Sequence, residues 1–335
     1  MKRLSLNLLV LMGIAAQLSF AVGDETPQKL AQTGFNFLSN SSDARSSGMG
    51  DAVNAVFGFS GALSHNPASM AEMPTFLNAS FNMNQWIADI NYMSASVILS
   101  PASGDYGNIG FSLQTVDYGD VEHTIVDGSN PNGYTDLGII NPSALAVGVG
   151  YSIMLSKQFG VGGQIKYAHQ DLGESLLMDD VGNVSTKAYK ANAIAYDFGT
   201  IYRVGIKSLA FGMSVTNFST EVKYELEGFQ LPLLFAIGVS ANLFDFVDVG
   251  SSIEQEFLMT VDWTHPRSHP EQIKIGGEYK FMKMLSLRAG YVGGNDENDV
   301  TYGVGISSFG AEFAYSYTPF GVFKNVQRIT ACISL

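Results

Sequence analysis

Histidine is the side chain best suited to acid–base and metal chemistry near neutral pH, and the chain has five: His65, His123, His169, His265 and His269. None stands in a His-x-x-x-His pair on a helix, the spacing that brings two imidazoles to one metal. His265 and His269 are four apart, but Pro266 and Pro270 break a helix there. A hydrolytic Ser, His and acid set would have to be gathered from distant segments, and the serines are too many to single one out. The run Asn295-Asp296-Glu297-Asn298-Asp299 offers oxygen ligands of the kind calcium takes, or is a solvated loop. No catalytic residue, cofactor or metal is therefore expected, and the chain is not expected to be an enzyme. Charges set among small residues are more informative: Lys166, Asp197, Glu254, Glu256, Lys274, Glu278 and Arg288.

The elements that must carry those charges are strands. Leu145, Val147, Val149, Tyr151 and Ile153 alternate with Ala146, Gly148, Gly150 and Ser152. The same two-residue period recurs at Phe211, Met213 and Val215, at Phe235, Ile237 and Val239, and at Val300, Tyr302, Val304 and Ile306. A soluble sandwich would dress its second face with Lys, Glu and Thr; here that face is Gly, Ala and Ser. The seven charges fall in phase with the small residues. A Lys or Arg facing lipid at mid-bilayer costs ~2–4 kcal/mol, so the small face must line a lumen and the apolar face must meet lipid.

Connector lengths point the same way. Segments near 75–85, 87–100, 106–117, 143–155, 158–171, 190–204, 207–217, 231–243, 246–258, 271–281, 284–293, 299–307, 309–317 and 326–335 read as about fourteen strands of membrane-crossing length. One set of connectors is short (SKQ, VGIK, FDF, FMKM, SSF). The other is mostly long: 116–142, 172–187, 219–230, 258–270, 293–298 and 318–325. The expected fold is all-β: an antiparallel transmembrane barrel over residues 75–335. Residues 1–23, with Lys2 and Arg3 before an apolar run and small residues around Ala21, read as a cleaved secretory signal. The single cysteine, Cys332, allows no internal disulfide. A net charge of −13 argues against a nucleic-acid partner, since phosphate binding needs a basic surface. The lipid bilayer is the expected partner.

Residues 24–74 fit neither leader nor strand. DARSSGMGDA (43–52) followed by SHNPASMAEM (64–73) has small residues without alternation. Gly48 and Gly50 permit close approach or positive φ, Asp51 is placed to cap residues 52–57, and Asn66-Pro67 signals a turn ahead of a helical turn at 68–72. These motifs, with SVTNFS (214–219), QLPLLFAIGVS (230–240), HPEQIKIGGEYKF (269–281), LSLRAGY (285–291) and YSYTPFG (315–321), resemble the PorV/PorQ family of outer-membrane proteins, whose barrels are similar to those of the FadL hydrophobic-compound transporters. A departure is the final strand, which ends on Leu335 rather than an aromatic residue.

The resemblance implies a fourteen-stranded outer-membrane barrel with an N-terminal hatch in its lumen, carried here by Arg45, Gly48, Met49, Gly50, Asn66 and Pro67. Arg45 is expected to anchor to a lumenal carboxylate, with Asp197, Glu254, Glu256 and Glu278 as candidates. The first functional reading it implies is assistance to secretion or surface attachment of exported proteins, as in type IX secretion, with secretion proteins and cargo as partners. The alternative is FadL-like transport of hydrophobic small molecules, and a structural barrel with neither role is a third. Tyr118, Ile125, Tyr134, Ile139 and Ile140 in the long connectors suit a lipid-like ligand or a protein partner equally.

Overall fold

The computed structural model describes residues 33–178, 184–247, 254–294, 299–321, 323 and 325–335. The signal-peptide reading of 1–23, the first residues of the 24–74 segment and all but Asp299 of the calcium reading at 295–299 lie outside the described residues. Strands in chain order are β1 (Leu77–Gln85), β2 (Asn91–Leu99), β3 (Asn108–Asp117), β4 (Val121–Val126), β5 (Tyr134–Ile140), β6 (Ser143–Met154), β7 (Phe159–Met178), β8 (Val184–Arg203) and β9 (Ala210–Ser219). They continue with β10 (Val222–Lys223), β11 (Gly228–Phe229), β12 (Leu234–Asn242), β13 (Gln255–Pro266), β14 (Gln272–Phe281), β15 (Leu285–Gly293), β16 (Val300–Ser308), β17 (Ala311–Thr318) and β18 (Val326–Ser334). Fourteen of them close into an antiparallel barrel, sealed by β1 against β18 from Asn78↔Ser334 to Gln85↔Gln327. The pairs β4–β5 and β10–β11 form small sheets of their own within the connectors.

The two-residue period decides which side faces in. Along β6, Ala144, Ala146, Gly148, Gly150 and Ser152 are buried, while Val147, Val149 and Tyr151 are exposed. Phe81, Met83, Phe111, Ile165, Phe198 and Phe313 repeat the pattern around the wall. A closed sheet that buries Asn, Ser, Thr and charge while exposing Phe, Met and Ile is inverted relative to a soluble protein. It is stable only with hydrocarbon outside, where each apolar side chain contributes and every backbone group is paired around the ring.

Several strand boundaries differ from the sequence reading. The strand expected at 246–258 runs instead from Gln255 to Pro266, because Met259, Val261 and Trp263 outside against Thr260, Asp262 and Thr264 inside carry the alternation through the supposed loop, leaving only 267–271 as connector. Glu254 consequently lies before the strand, exposed and ion-paired with Lys283 in the next turn, and is not a lumenal charge. The expected loop 172–187 is largely strand: β7 and β8 are each 20 residues, about 66 Å at ~3.3 Å per residue, and stand clear of a bilayer. The strand expected from residue 87 starts at Asn91, since Ala88 and Asp89 have φ of 55° and 60° and form a turn. The end bearing the long connectors is called the loop end below, and the opposite end the turn end.

Candidate functional site

Residues 43–72 lie inside the barrel, built from one short helix, α1 (Ala44–Gly48), and 3-10 turns at Ser60–Ser64 and Pro67–Ala71. A helix of five residues has no stability of its own; caps and wall contacts hold it. Asp43, rather than Asp51, is the cap: its Oδ2 accepts from Ser46 N at 2.8 Å and Ser46 Oγ at 2.6 Å. Asp51 has φ 56° in the turn that follows, and residues 52–57 form no helix for it to cap. Asn66 Oδ1 accepts from Ala68 N at 3.0 Å to start the second turn, and its Nδ2 donates to Asn54 O and to Thr200 O on β8.

The wall grips this plug by directional polar bonds. Ala44 N donates to Thr330 Oγ1 (2.8 Å), Ser47 Oγ meets Ser316 Oγ (2.6 Å), and Asn54 N donates to Asp262 Oδ2 (2.9 Å). Ser240 Oγ donates to Ala55 O and Asn108 Nδ2 to Met70 O. Between these bonds the backbones touch. A Cβ on Gly290 would overlap Gly50 N and Met49 C, and one on Gly212 would overlap Asn54 O, which is why glycine occupies the inward positions there. Gly48 lies against Gly303 Cα and Gly50 has φ 65°; Met49 is buried with Val53, Val56, Phe59 and Ala62; Pro67 is buried against Gly162.

Arg45 makes the deeper of two ion pairs between plug and wall; the other, Glu72 with Arg203 at 2.6 Å, is more exposed. Arg45 Nε donates to Glu278 Oε1 at 3.0 Å and a terminal nitrogen to Oε2 at 2.6 Å, a bidentate pair, and the guanidinium carbon lies 4.7 Å from the Phe59 ring centroid. Glu278 also accepts from Arg288 Nε at 2.8 Å and has Lys280 Nζ at 3.5 Å; Arg288 bonds onward to Glu312. Asp197 does another job. It holds Lys166 at 2.8 Å and accepts from Asn217 N at 2.7 Å, where Asn217 has φ 60° and the β8–β9 register shifts. Glu256 lies in the inward phase at the start of β13, partly buried. A cavity of about 120 Å³ between plug and wall has a mixed lining, polar at Asp51, His65, Gln114, Lys166 and Lys274 and apolar at Leu38, Leu63, Leu113 and Leu234.

At the loop end the chemistry changes. Inward alanines of β6, β7 and β8 (Ala144, Ala146, Ala168, Ala191, Ala193, Ala195) make a smooth apolar wall. Against it pack Phe35 and Phe37, from an arm at 33–38 that precedes the plug, with Tyr92, Trp86, Tyr118, Tyr224 and Phe229 around them. Phe35 lies 5.9 Å from Phe37, 6.4 Å from Tyr224 and 6.0 Å from Phe229, ring centre to ring centre. The arm's backbone is tied at its start, where Thr33 bridges in parallel to Gln230 and Gly34 N donates to Gln230 O at 3.2 Å, and further on Phe37 O accepts from Gln114 at 3.2 Å. Phe35 itself has φ 57°, a left-handed conformation costing an L-residue ~1–2 kcal/mol, which the ring contacts must offset. Burial pushes the Tyr224 hydroxyl up to about 12 and the Tyr118 hydroxyl up as well, so both remain protonated donors.

Of the connector residues singled out in the sequence, only Tyr118 reaches this site. Tyr134 and Ile139 are exposed on the β4–β5 hairpin, Ile125 is partly buried within it, and Ile140 packs over Gly173 of β7. Phe35 and Phe37 went unassigned. Their signal was GFNFLSN (34–40), two aromatics just ahead of the hatch motif.

No protein-family model matches the chain, and no curated protein matches it. Solved structures do. The toluene transporter TodX of Pseudomonas putida superposes with a TM-score of 0.60 at 13% identity, covering 92% of this chain and 98% of that one. The toluene transporter TbuX of Ralstonia pickettii gives 0.56 at 13%, covering 91% and 99%. A FadL homologue of Pseudomonas aeruginosa gives 0.51 at 12%, covering 88% and 98%. At such identities the likeness is one of fold.

Proposed function

We propose that the protein is an outer-membrane barrel that admits small hydrophobic molecules through an apolar site at the loop end and passes them inward past the plug. The observation that carries this reading is the alanine-walled, aromatic-lined site at one end of a barrel whose fold is shared with hydrocarbon transporters. The site supplies apolar surface and ring faces at the loop-end mouth of the bore, the arrangement that captures an apolar solute from water. The long connectors face outward in this reading, and residues 1–23 direct export.

Assistance to secretion, the first reading implied by the PorV/PorQ motifs, gains no support from the comparisons, and the transport alternative is preferred. The motifs of that resemblance fall largely on the plug and its wall contacts, so they bear on how a barrel is plugged rather than on what crosses it.

The test is uptake of radiolabelled toluene at low external concentration by cells with and without the protein. Faster initial uptake with it, saturable and abolished by an unlabelled aromatic competitor, is the expected result. Equal uptake in both would reject transport, and co-purification of secretion proteins from the source cells would restore the other reading.

A further inference from the structure

The apolar site carries polar groups that a hydrocarbon would not use. In the β2–β3 register Tyr92 pairs with Val116, and Tyr118 stands two residues further along the same inward face, so the two tyrosines are diagonal neighbours. Each phenol oxygen is already held as an acceptor. Asn40 Nδ2 donates to Tyr92 OH at 2.7 Å and Gln170 Nε2 to Tyr118 OH at 3.1 Å, while Tyr224 OH donates to Gln170 Oε1 at 2.8 Å and so fixes the amide that orients Tyr118. Among the described residues no protein atom accepts the Tyr92 or the Tyr118 proton. Two hydroxyl donors, positioned by two amides, thus stand together beside a ring-lined, alanine-walled space in which Phe35 sits in its left-handed conformation.

We infer that this site selects aromatic molecules bearing a hydrogen-bond-accepting substituent, such as an aryl ketone or ether, with Tyr92 and Tyr118 as the specificity-determining donors and Phe35 as the intramolecular ring that occupies the space in their absence. The inference rests on the transport reading and narrows it. An apolar pocket alone discriminates poorly between ligands of one shape, whereas a placed donor favours the analogue with an acceptor. Phe35 fits the part of exchangeable occupant because its ring lies against those of Phe37, Tyr224 and Phe229, its φ is unfavourable, and the tie to the 220–233 connector is made by the residues before it, Thr33 bridging to Gln230 and Gly34 N donating to Gln230 O. Removing its ring raises the fraction of chains with the site open and tightens every ligand by the same factor.

The experiment compares acetophenone with ethylbenzene, which share a skeleton and differ by a carbonyl for a methylene, by equilibrium binding to the purified full-length barrel in detergent. Wild type, Phe35→Ala, Tyr118→Phe and the Tyr92→Phe/Tyr118→Phe pair are measured, each first shown to be heat-modifiable. Using one probe pair across variants cancels the difference in water solubility. Phe35→Ala is expected to tighten both ligands by a similar factor, while the double Phe variant lowers the acetophenone-to-ethylbenzene affinity ratio by about tenfold with ethylbenzene little changed, as two modest hydrogen bonds require. An unchanged ratio in the double variant would overturn the selectivity inference and leave transport of hydrophobic molecules standing. Binding of neither ligand to wild type or to Phe35→Ala would remove both. Unequal tightening in Phe35→Ala would show that its ring does not stand in for the ligand's.

Discussion

The arm at 33–38 and the plug at 43–72 are neighbouring pieces of one chain inside one barrel, and opposite forces hold them. The plug is fixed by short directional bonds to strands around the wall, among them β3, β8, β12, β13, β14, β17 and β18, and by backbone contact at inward glycines. The arm is held by ring faces and few backbone bonds, with one residue in an unfavourable conformation. Directional bonds specify a single position and are lost together when the geometry shifts, whereas ring contacts can be exchanged for those of another apolar molecule at little net cost. The part of the chain nearest the loop end is therefore the part built to be replaced, and the part below it is built to stay until something larger acts on it.

The sharpest way to break this contrast is to remove the plug's central acceptor. Glu278 is buried and ion-pairs with Arg45 and Arg288 at once. Glu278→Ala leaves Arg45 without an ion-pair partner in a dry environment, at ~3–5 kcal/mol. Protease cleavage between residues 43 and 70 should accelerate and single-channel conductance should rise, with the heat-modifiable barrel unchanged. Wild-type values for both would show that the glycine contacts and neutral bonds suffice to hold the plug.

Arg45→Ala should have the same sign and a smaller size, ~1–4 kcal/mol depending on water entry. The wall half of the cluster stays balanced without Arg45, because Glu278 keeps Arg288 and Lys280 while Arg288 keeps Glu312. An effect larger than that of Glu278→Ala would mean that Arg45 acts through another contact, with the Phe59 ring as the candidate.

The two regions were unequally legible in the sequence, for a physical reason. The barrel was readable because lipid outside and a lumen inside impose one rule on every strand, and Gly148, Gly150 and Gly303 obey it without reference to anything distant. Arg45 was readable as an anchor because a guanidinium among small residues must find a carboxylate, and few inward carboxylates existed. The strand read at 246–258 was misplaced because its true inward residues, Thr260, Asp262 and Thr264, are polar enough to pass for loop. That slip also concealed Asp262, which receives Asn54 N, and put Glu254 in the lumen. Of the apolar site only Tyr118 was readable. The site's residues come from 35–37, 86–92, 116–118, 144–146, 168, 191–195 and 222–231 and meet only when the barrel closes. Local alternation marks Ala191, Ala193 and Ala195 as inward but says nothing of the rings across from them.

The apolar site also differs from the long connector between β3 and β6. The β4–β5 hairpin pairs only with itself, and none of its singled-out apolar residues is part of the site; Ile140 packs instead over Gly173 of β7. Replacing residues 121–140 by a short Gly-Ser linker, with Tyr118 kept, should change ligand affinity by less than about twofold, and a tag near Gly128 should be reachable on intact cells. A tenfold loss of affinity would make the hairpin part of the site. A tag detectable only in permeabilised cells would invert the topology.

The smallest effect expected lies at the tip of that hairpin and concerns pH. The Ser129 and Thr135 hydroxyls donate to Asp127, and with Ser129 N they hold its carboxyl down to about 2. A carboxyl whose pKa falls on folding stabilises the folded tip fully above its unfolded value of about 3.9 and loses that contribution as pH drops through the folded value. Hydrogen-exchange protection of the Ser129 amide should thus be level from neutral pH to about 4 and decline only as pH approaches about 2, with the site below unaffected. Asp127 is only partly buried and its bonds are local, so Asp127→Asn should abolish the pH dependence of the tip while ligand affinity and plug protection stay at wild-type values. A decline in Ser129 protection already near pH 5 would show that the hydroxyls do not hold the carboxylate. Loss of plug protection over the same pH range in Asp127→Asn would show that the hairpin and the lumen are coupled after all.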